Sequence, residues 1–192
     1  MSRLLALALL LGAPALAAAQ PGTATRVGLG VRIGTSPFLT DDSGDFVALA
    51  APRFSVPVDV GGVVRVEPEF GAASFRQEDE SNRSERTQRQ TSVGLAVSAL
   101  VPRDDLTLTL GGRVRYSRLT QSFSFGPDDS EFSTSSFAVG PVVGGEYPFS
   151  DRFAIGVEAG LEYRSFTPDE SVRDVDQSGY GTTAALSARF FF

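Results

Sequence analysis

Residues 153–164 read FAIGVEAGLEYR, and this stretch decides the fold class. Apolar residues occupy every second position from Phe153 to Tyr163, and small or charged residues fill the positions from Ala154 to Arg164. An alternation with a period of two places the two sets on opposite faces of a β-strand, whereas a helix needs a period near 3.6. Two internal glycines also disfavour a helix. The stretch therefore predicts a strand with one apolar face and one charged face.

The same alternation recurs along the chain and predicts eight strands in total. The other seven are residues 26–34, 46–58, 65–71, 91–101, 106–117, 135–147 and 179–192. Internal prolines interrupt two of them, and proline is tolerated in a sheet only where its missing N–H does not matter. We therefore expect Pro52 and Pro141 to face outward, where a bulge would accommodate them.

Connections between the predicted strands alternate between long and short. The short ones are Asp59–Gly62, Pro102–Asp105 and Pro148–Asp151, and the long ones are Thr35–Asp45, Arg76–Arg89, Leu119–Ser133 and Thr167–Ser178. Short turns at one end and long loops at the other are typical of transmembrane β-barrels. An open sheet edge in lipid would leave backbone groups unpaired, so the sheet must close. The predicted fold is all-β, a closed up-and-down antiparallel eight-stranded transmembrane β-barrel.

The charged residues of the predicted strands decide which face meets lipid. An arginine on the lipid face costs about 2–4 kcal/mol at mid-membrane, so these side chains must point inward. An eight-stranded barrel is just wide enough to be filled by side chains, so we expect a structural charge network rather than the alternative, a gated ion path. The predicted network contains Arg26, Arg32, Arg53, Arg65, Glu67, Glu69, Arg113, Arg115, Glu146, Glu158, Glu162, Arg164 and Arg189. Similar depth suggests that Glu158 pairs with Arg113 or Arg115.

Composition narrows the function classes. The N-terminal segment MSRLLALALLLGAPALAAAQ has the layout of a secretory signal peptide, so we expect residues 1–19 to be cleaved and residues 20–192 to form one barrel domain. The net charge of −6 argues against nucleic-acid binding. The chain contains neither histidine nor cysteine, and its carboxylates lie among arginines, so we expect no enzyme activity, no catalytic residues and no cofactor.

Two acidic segments, Thr40–Asp45 (TDDSGD) and Phe125–Glu131 (FGPDDSE), carry the oxygen ligands that hard cations prefer. Their spacing does not match a calcium loop, so we interpret them as solvated acidic loops and expect no metal site. The mixed-charge run Arg76–Gln90 is expected to be a mobile exposed loop that could serve as a recognition surface.

The chain ends in ALSARFFF, and Phe190 and Phe192 have the parity of the lipid face. This ending is similar to the terminal aromatic signal that the barrel-assembly machinery of Gram-negative bacteria reads, although Ala184 and Ala185 stand where that pattern often has glycine. With its eight strands and filled interior, the chain resembles the small outer-membrane barrels of the OmpA/OmpX type. The resemblance implies an outer-membrane location, assembly-machinery recognition through Phe190 and Phe192, contacts with lipid and lipopolysaccharide, and a monomer. Phe191 has the opposite parity, and we expect it to cap the polar interior.

Three functions remain compatible with the sequence. The first is a structural or surface-interaction protein that presents four loops, and the second is a conduit for small solutes or hydrophobic ligands, as in barrels of the OmpW type. A soluble lipocalin-like binding barrel is the third, and it would place the apolar face inside. Alternating loop lengths and the terminal aromatics favour the membrane barrel.

Overall fold

The computed structural model describes residues 25–35, 52–79, 84–125, 128–168 and 177–192. These residues form one antiparallel sheet of nine strands: β1 (Arg26–Thr35), β2 (Arg53–Ser55), β3 (Val58–Val60), β4 (Val64–Asp79), β5 (Ser84–Arg103), β6 (Leu106–Phe125), β7 (Asp128–Pro148), β8 (Phe153–Pro168) and β9 (Gln177–Phe191). The described part of the chain contains no helix that is long and apolar enough to cross a membrane.

Strands β2 and β3 occupy a single position in the sheet, because both pair with β1 on one side and β4 on the other. The break falls at Pro57, which has no N–H to donate. Its carbonyl still accepts from the N–H of Gly28 at 2.9 Å, and Val56 donates to Pro68 at 3.1 Å. The nine strands therefore fill the eight positions that the sequence predicts.

The expected outward prolines are exposed, but Pro141 does not lie in a bulge. Val139 is opposite Tyr163 and Val142 is opposite Gly160, so the register is the same on both sides of the proline. The pairing of β7 with β8 is interrupted at Gly140 and Pro141, but no extra residue is inserted. A bulge is unnecessary, because the proline ring points outward and the sheet tolerates the loss of the one hydrogen bond that proline cannot donate.

The sheet closes on itself through the pairing of β1 with β9. Residues directly opposite each other on neighbouring strands can be followed once around the barrel. Such a path starts at Ile155 of β8 and returns to β8 at Ser165, ten residues farther along the strand. It passes through Ala188, Val31, Phe54, Phe70, Val93, Tyr116 and Phe137. With ordinary strand spacing, a stagger of ten over eight positions gives a tilt of about 40° and a backbone radius of about 8 Å. The interior is therefore narrow enough for side chains to fill.

Three tight turns lie at the end of the barrel where β1 begins and the chain terminates, which we call the turn end. They connect β3 to β4, β5 to β6 and β7 to β8, as the short connections predict. Gly62 has a φ of 67°, a left-handed conformation that glycine adopts without strain. One boundary was wrong: Asp59, predicted to begin a turn, lies in β3 with its side chain inside the barrel.

The opposite end, which we call the loop end, differs from the expectation of long loops. Strands β4 and β5 stay paired up to Asp79 and Ser84, and β6 and β7 up to Phe125 and Asp128. The predicted loops Arg76–Arg89 and Leu119–Ser133 are therefore mostly β-sheet, and the acidic segment at Phe125–Glu131 lies largely in β7. The acidic segment Thr40–Asp45 lies outside the described residues.

Candidate functional site

The two faces of β8 are arranged as its alternation predicts. Phe153, Ile155, Val157 and Leu161 are exposed on the outside of the barrel, whereas Glu162 and the residues of the same parity are turned inward. The other strands repeat this division, so the exterior is covered by large apolar side chains and the interior holds the charges. This arrangement is the reverse of a lipocalin-like barrel, which excludes the soluble alternative.

Aromatic residues form a belt at each edge of the apolar exterior. At the turn end, Phe149 contacts Tyr147 and Phe153, with ring centroids 5.1 and 6.1 Å apart. At the edge nearer the loop end, which we call the upper belt, Tyr163 and Tyr180 pair at 5.3 Å. The exposed Tyr116 of β6 lies at about the same height, because its path of opposite residues reaches β8 at Ser165. Phe153 and Tyr163 are ten residues apart on one strand, which at a tilt of 40° is about 25 Å along the barrel axis. That height matches the apolar band of outer-membrane barrels.

The interior charges nearest the turn end form the first part of a network. Asp59 accepts two hydrogen bonds from Arg65, at 2.6 and 3.0 Å, and one from Arg26 at 3.1 Å. Arg65 also donates to Glu146 at 2.7 and 3.2 Å, and Arg189 donates to the same carboxylate at 2.7 Å. Each buried carboxylate here is therefore held by two guanidinium groups.

Phe191 closes this end of the interior. Its side chain is 2% exposed, and the guanidinium carbons of Arg26 and Arg65 lie 4.6 and 5.3 Å from its ring centroid. An aromatic face attracts a cation at such distances. The expected inward cap is thus where parity places it, whereas Phe190 and Phe192 lie outside in mutual contact at 5.6 Å.

The middle of the interior continues the network without a break. Arg189 donates to both oxygens of Glu67, at 3.1 and 3.0 Å, and the Ser55 hydroxyl donates to Glu67 at 2.7 Å. The next arginine, Arg32, contacts the carboxylates of Glu67, Glu69 and Glu158. With Arg113, the network joins five arginines to five carboxylates, so it is electrically balanced.

Arg113 completes the balanced network. It donates to Glu158 at 2.5 and 2.8 Å and to Glu69 at 3.0 Å. Glu158 is thus paired with one of the two arginines expected from similar depth. The other, Arg115, lies one step nearer the loop end and donates to Glu162 at 2.5 Å, as Arg164 does at 3.1 Å.

The structure brings together twelve of the thirteen predicted interior residues in ion pairs. Arg53 is half-buried on the inner face but has no ion pair with another described residue. Arg26 is at the rim, with its side chain 47% exposed. Sequence reasoning missed Asp59, which is fully buried. Its signal was present, since Val58, Asp59 and Val60 continue the alternation of the strand into the predicted turn.

The chain matches the model of a known protein family over residues 4–190, nearly its whole length, and the family is described as "Outer membrane protein beta-barrel domain". The chain belongs to this family. It is an integral β-barrel protein of the bacterial outer membrane, and its apolar exterior contacts membrane lipids.

Solved structures of other outer-membrane barrels share the fold. The attachment invasion locus protein Ail of Yersinia pestis is 16% identical with a TM-score of 0.51, and Neisserial surface protein A is 16% identical with a TM-score of 0.52. Each alignment covers 88% of this chain and 97% of the other. A major outer membrane protein of Thermus thermophilus is 12% identical over 86% of this chain and 99% of the other, with a TM-score of 0.50. No curated protein sequence gives a significant match.

For an outer-membrane barrel, the interior network has a clear physical consequence. Its carboxylates accept from arginines on strands far apart in the sheet, so the network cross-links the barrel wall through its centre. Glu67, on β4, is held by Arg32 of β1 and Arg189 of β9, which are separate strand positions. Among the described residues, no group of three or more carboxylates could hold a metal ion. The cross-links between separate strand positions support a structural role for the carboxylates.

Proposed function

We propose that this outer-membrane protein is a surface-interaction protein, in which a rigid barrel anchors an interaction surface above the membrane. The observation that supports this proposal is a protruding sheet, formed by the loop-end halves of β4–β7. On β6, Phe125 lies nine residues beyond Tyr116, which places the hairpin end about 20 Å above the upper aromatic belt. A barrel that only sealed a membrane would have no need of this sheet.

The protruding sheet is supported from within. Phe123 of β6 contacts Phe132 of β7 edge-on at 6.2 Å, and the guanidinium carbon of Arg86 lies 5.1 Å from the Phe123 ring centroid. On the outer surface, Tyr116 and Ser135 share a hydrogen bond at 2.9 Å across β6 and β7. These cross-strand contacts favour one fixed shape, which a recognition surface requires.

Lipopolysaccharide is the partner that the outer surface of this sheet fits. Arg118 is two residues beyond Tyr116 of the upper belt, and Arg89 is diagonally adjacent to it, because Arg118 is opposite Thr91 and Arg89 is opposite Thr120. Both side chains are exposed on the outside. They stand just above the apolar band, where lipid phosphates lie, and each basic residue near an anionic surface contributes about 1 kcal/mol.

Removal of this basic pair tests the lipopolysaccharide contact. The variant R89Q/R118Q is compared with R103Q/R152Q, which changes two exposed arginines at the turn end. The thermal midpoint of band-shift unfolding is measured in vesicles with and without lipopolysaccharide. We expect lipopolysaccharide to raise the midpoint of the wild type and the turn-end variant but to raise that of R89Q/R118Q much less. An equal rise in all three would contradict the proposal.

Export and assembly complete the proposed function. The N-terminal pattern supports a cleaved signal peptide at residues 1–19, and the outward Phe190 and Phe192 suit recognition by the assembly machinery. The barrel closes its own sheet, so we propose that it acts as a monomer without enzymatic activity. Mass measurement of the mature protein and of its detergent-solubilised state tests cleavage and oligomeric state.

A measurement of solute flux distinguishes the alternative function, a conduit, from the proposed surface-interaction function. A continuous set of ion pairs fills the cross-section, and moving a solute past it would require breaking buried pairs. We expect liposomes with the purified protein to swell no faster in small sugars than empty liposomes. Swelling that depends on protein concentration would replace the surface-interaction role with a conduit.

A further inference from the structure

The interior charges change character toward the loop end. Nearest the turn end and in the middle, five arginines and five carboxylates form the balanced network. The next level of the inner face, below the protruding sheet, has three guanidinium groups, those of Arg53, Arg115 and Arg164, and the single carboxylate of Glu162. Arg115 and Arg164 both bind that carboxylate. Arg53 has no carboxylate within ion-pair distance among the described residues, although it interacts electrostatically with Glu69 and Arg113 of the balanced network and with Glu162 and Arg115.

Hydrogen bonding in this upper group is incomplete. Arg115 is 4% exposed and donates to Glu162 through one terminal nitrogen, whereas its other terminal nitrogen, Nη1, is buried without a partner. One oxygen of Glu162, Oε1, is also buried without a partner. An arginine stays charged at any physiological pH, so it cannot relieve the cost of burial by losing a proton. The environment must supply a counter-charge or a hydrogen-bond acceptor.

The barrel wall beside these arginines is built from small residues. Gly71 is opposite Arg53, Gly94 is opposite Arg115, and Ala138 is opposite Arg115 on the other side. A β-carbon at Gly71 would lie 2.6 Å from the Ser92 hydroxyl and 3.2 Å from Cγ of Arg53, so the glycine leaves space for both side chains. The inward hydroxyls of Ser92 and Ser117 lie on the same face at the next position toward the loop end. The group therefore combines cationic and hydroxyl donors beside a wall that carries no large side chains.

We propose that Arg53 and Arg115 form an anion-binding site inside the loop end of the barrel, and that its ligand is a small inorganic oxyanion of the phosphate or sulfate class. The planar guanidinium fork matches the oxygen atoms of such an ion. The buried Nη1 of Arg115 supplies one donor, Arg53 supplies the second cation, and serine hydroxyls complete the shell. The anion supplies the acceptor that Nη1 of Arg115 lacks.

Phosphate titration of the folded protein tests the site. The mature protein is refolded in an uncharged maltoside detergent, since phosphocholine detergents would compete. The side-chain N–H resonances of arginine are followed by NMR while sodium phosphate replaces sodium chloride at constant ionic strength. We expect a saturable shift, weakened at least about tenfold in R53Q and R115Q. The control R103Q, which changes an exposed arginine at the turn end, should bind as the wild type does.

A second variant keeps the proposal testable if R115Q fails to fold. E162Q removes the carboxylate that Arg115 binds, so it should bind phosphate several-fold more tightly. A purely structural role for Glu162 would lower stability without raising affinity. No saturable shift in the wild type, unchanged binding in R53Q, or equal loss in R103Q would each overturn the proposal.

Discussion

Arg113 and Glu158 are joined by two hydrogen bonds, at 2.5 and 2.8 Å, across a barrel interior that separates their strands by one intervening strand. The glutamate also accepts from Arg32 at 3.1 Å. One carboxylate therefore ties β8 to both β1 and β6. A buried charge that loses its partner lowers the stability of the fold, so the contribution of this pair can be measured as a change in the free energy of unfolding.

Replacement of Glu158 by glutamine should destabilise the barrel by about 3 kcal/mol, because it leaves two buried guanidinium groups with fewer counter-charges. The free energy of unfolding in urea, followed by band shift, measures the loss. The control E85Q breaks an exposed pair with Arg76 on the protruding sheet and should cost less than about 1 kcal/mol. A similar loss of stability in both variants would show that the interior ion pairs contribute no more than an exposed pair.

Replacement of Phe191 by alanine should cost about 3–4 kcal/mol, because it empties the cap beneath Arg26 and Arg65. Replacement of Phe192, which is 73% exposed, should change the stability of the refolded protein little. In cells the order should reverse if the outward aromatics are the assembly signal: F190A/F192A should lower the amount of folded protein in the outer membrane more than F191L. Equal levels of both variants would contradict that role.

Replacement of Gly156 by alanine should destabilise the barrel by about 1–3 kcal/mol. A β-carbon there would lie 2.9 Å from the Ser187 hydroxyl and 3.4 Å from Nη1 of Arg189, so it would displace an arginine that holds both Glu67 and Glu146. Gly179 has open space around it, and G179A is the matched control. The two variants are compared by urea unfolding, and an equal cost would show that crowding against Arg189 is unimportant.

Replacement of Val157 by arginine tests the lipid-facing surface. Val157 is 60% exposed and lies between the two aromatic belts on β8, so V157R should cost about 2–4 kcal/mol in vesicles. T120R, on the protruding sheet above the membrane, should cost little. The difference should shrink in detergent micelles, where an arginine reaches water more easily. A similar cost for both variants would place the apolar band elsewhere.

The sequence predicted the fold class and the inner and outer faces, because both depend on a local property. Side chains alternate across a strand, and the eight arginines of the predicted set could not face lipid at about 2–4 kcal/mol each. The same parity placed Phe191 inside and Phe190 and Phe192 outside. Prediction failed at strand ends. Asp59 was wrongly predicted to begin a turn, although the alternation of the strand continues through Val58 and Val60. The protruding β4–β7 sheet was wrongly predicted to be loops, because polar residues outside a membrane carry no apolar alternation.

Only the tertiary structure decided how the charged residues are paired. Ion pairs depend on the register of every strand, and the ten-residue stagger between Ile155 and Ser165 emerges when all pairings are followed around the closed sheet. That stagger brings Glu158 beside Arg113 and Glu162 beside Arg115, and it leaves Arg53 without a carboxylate among the described residues. A local pattern fixes which way a side chain points, whereas its partner depends on the whole circumference of the barrel.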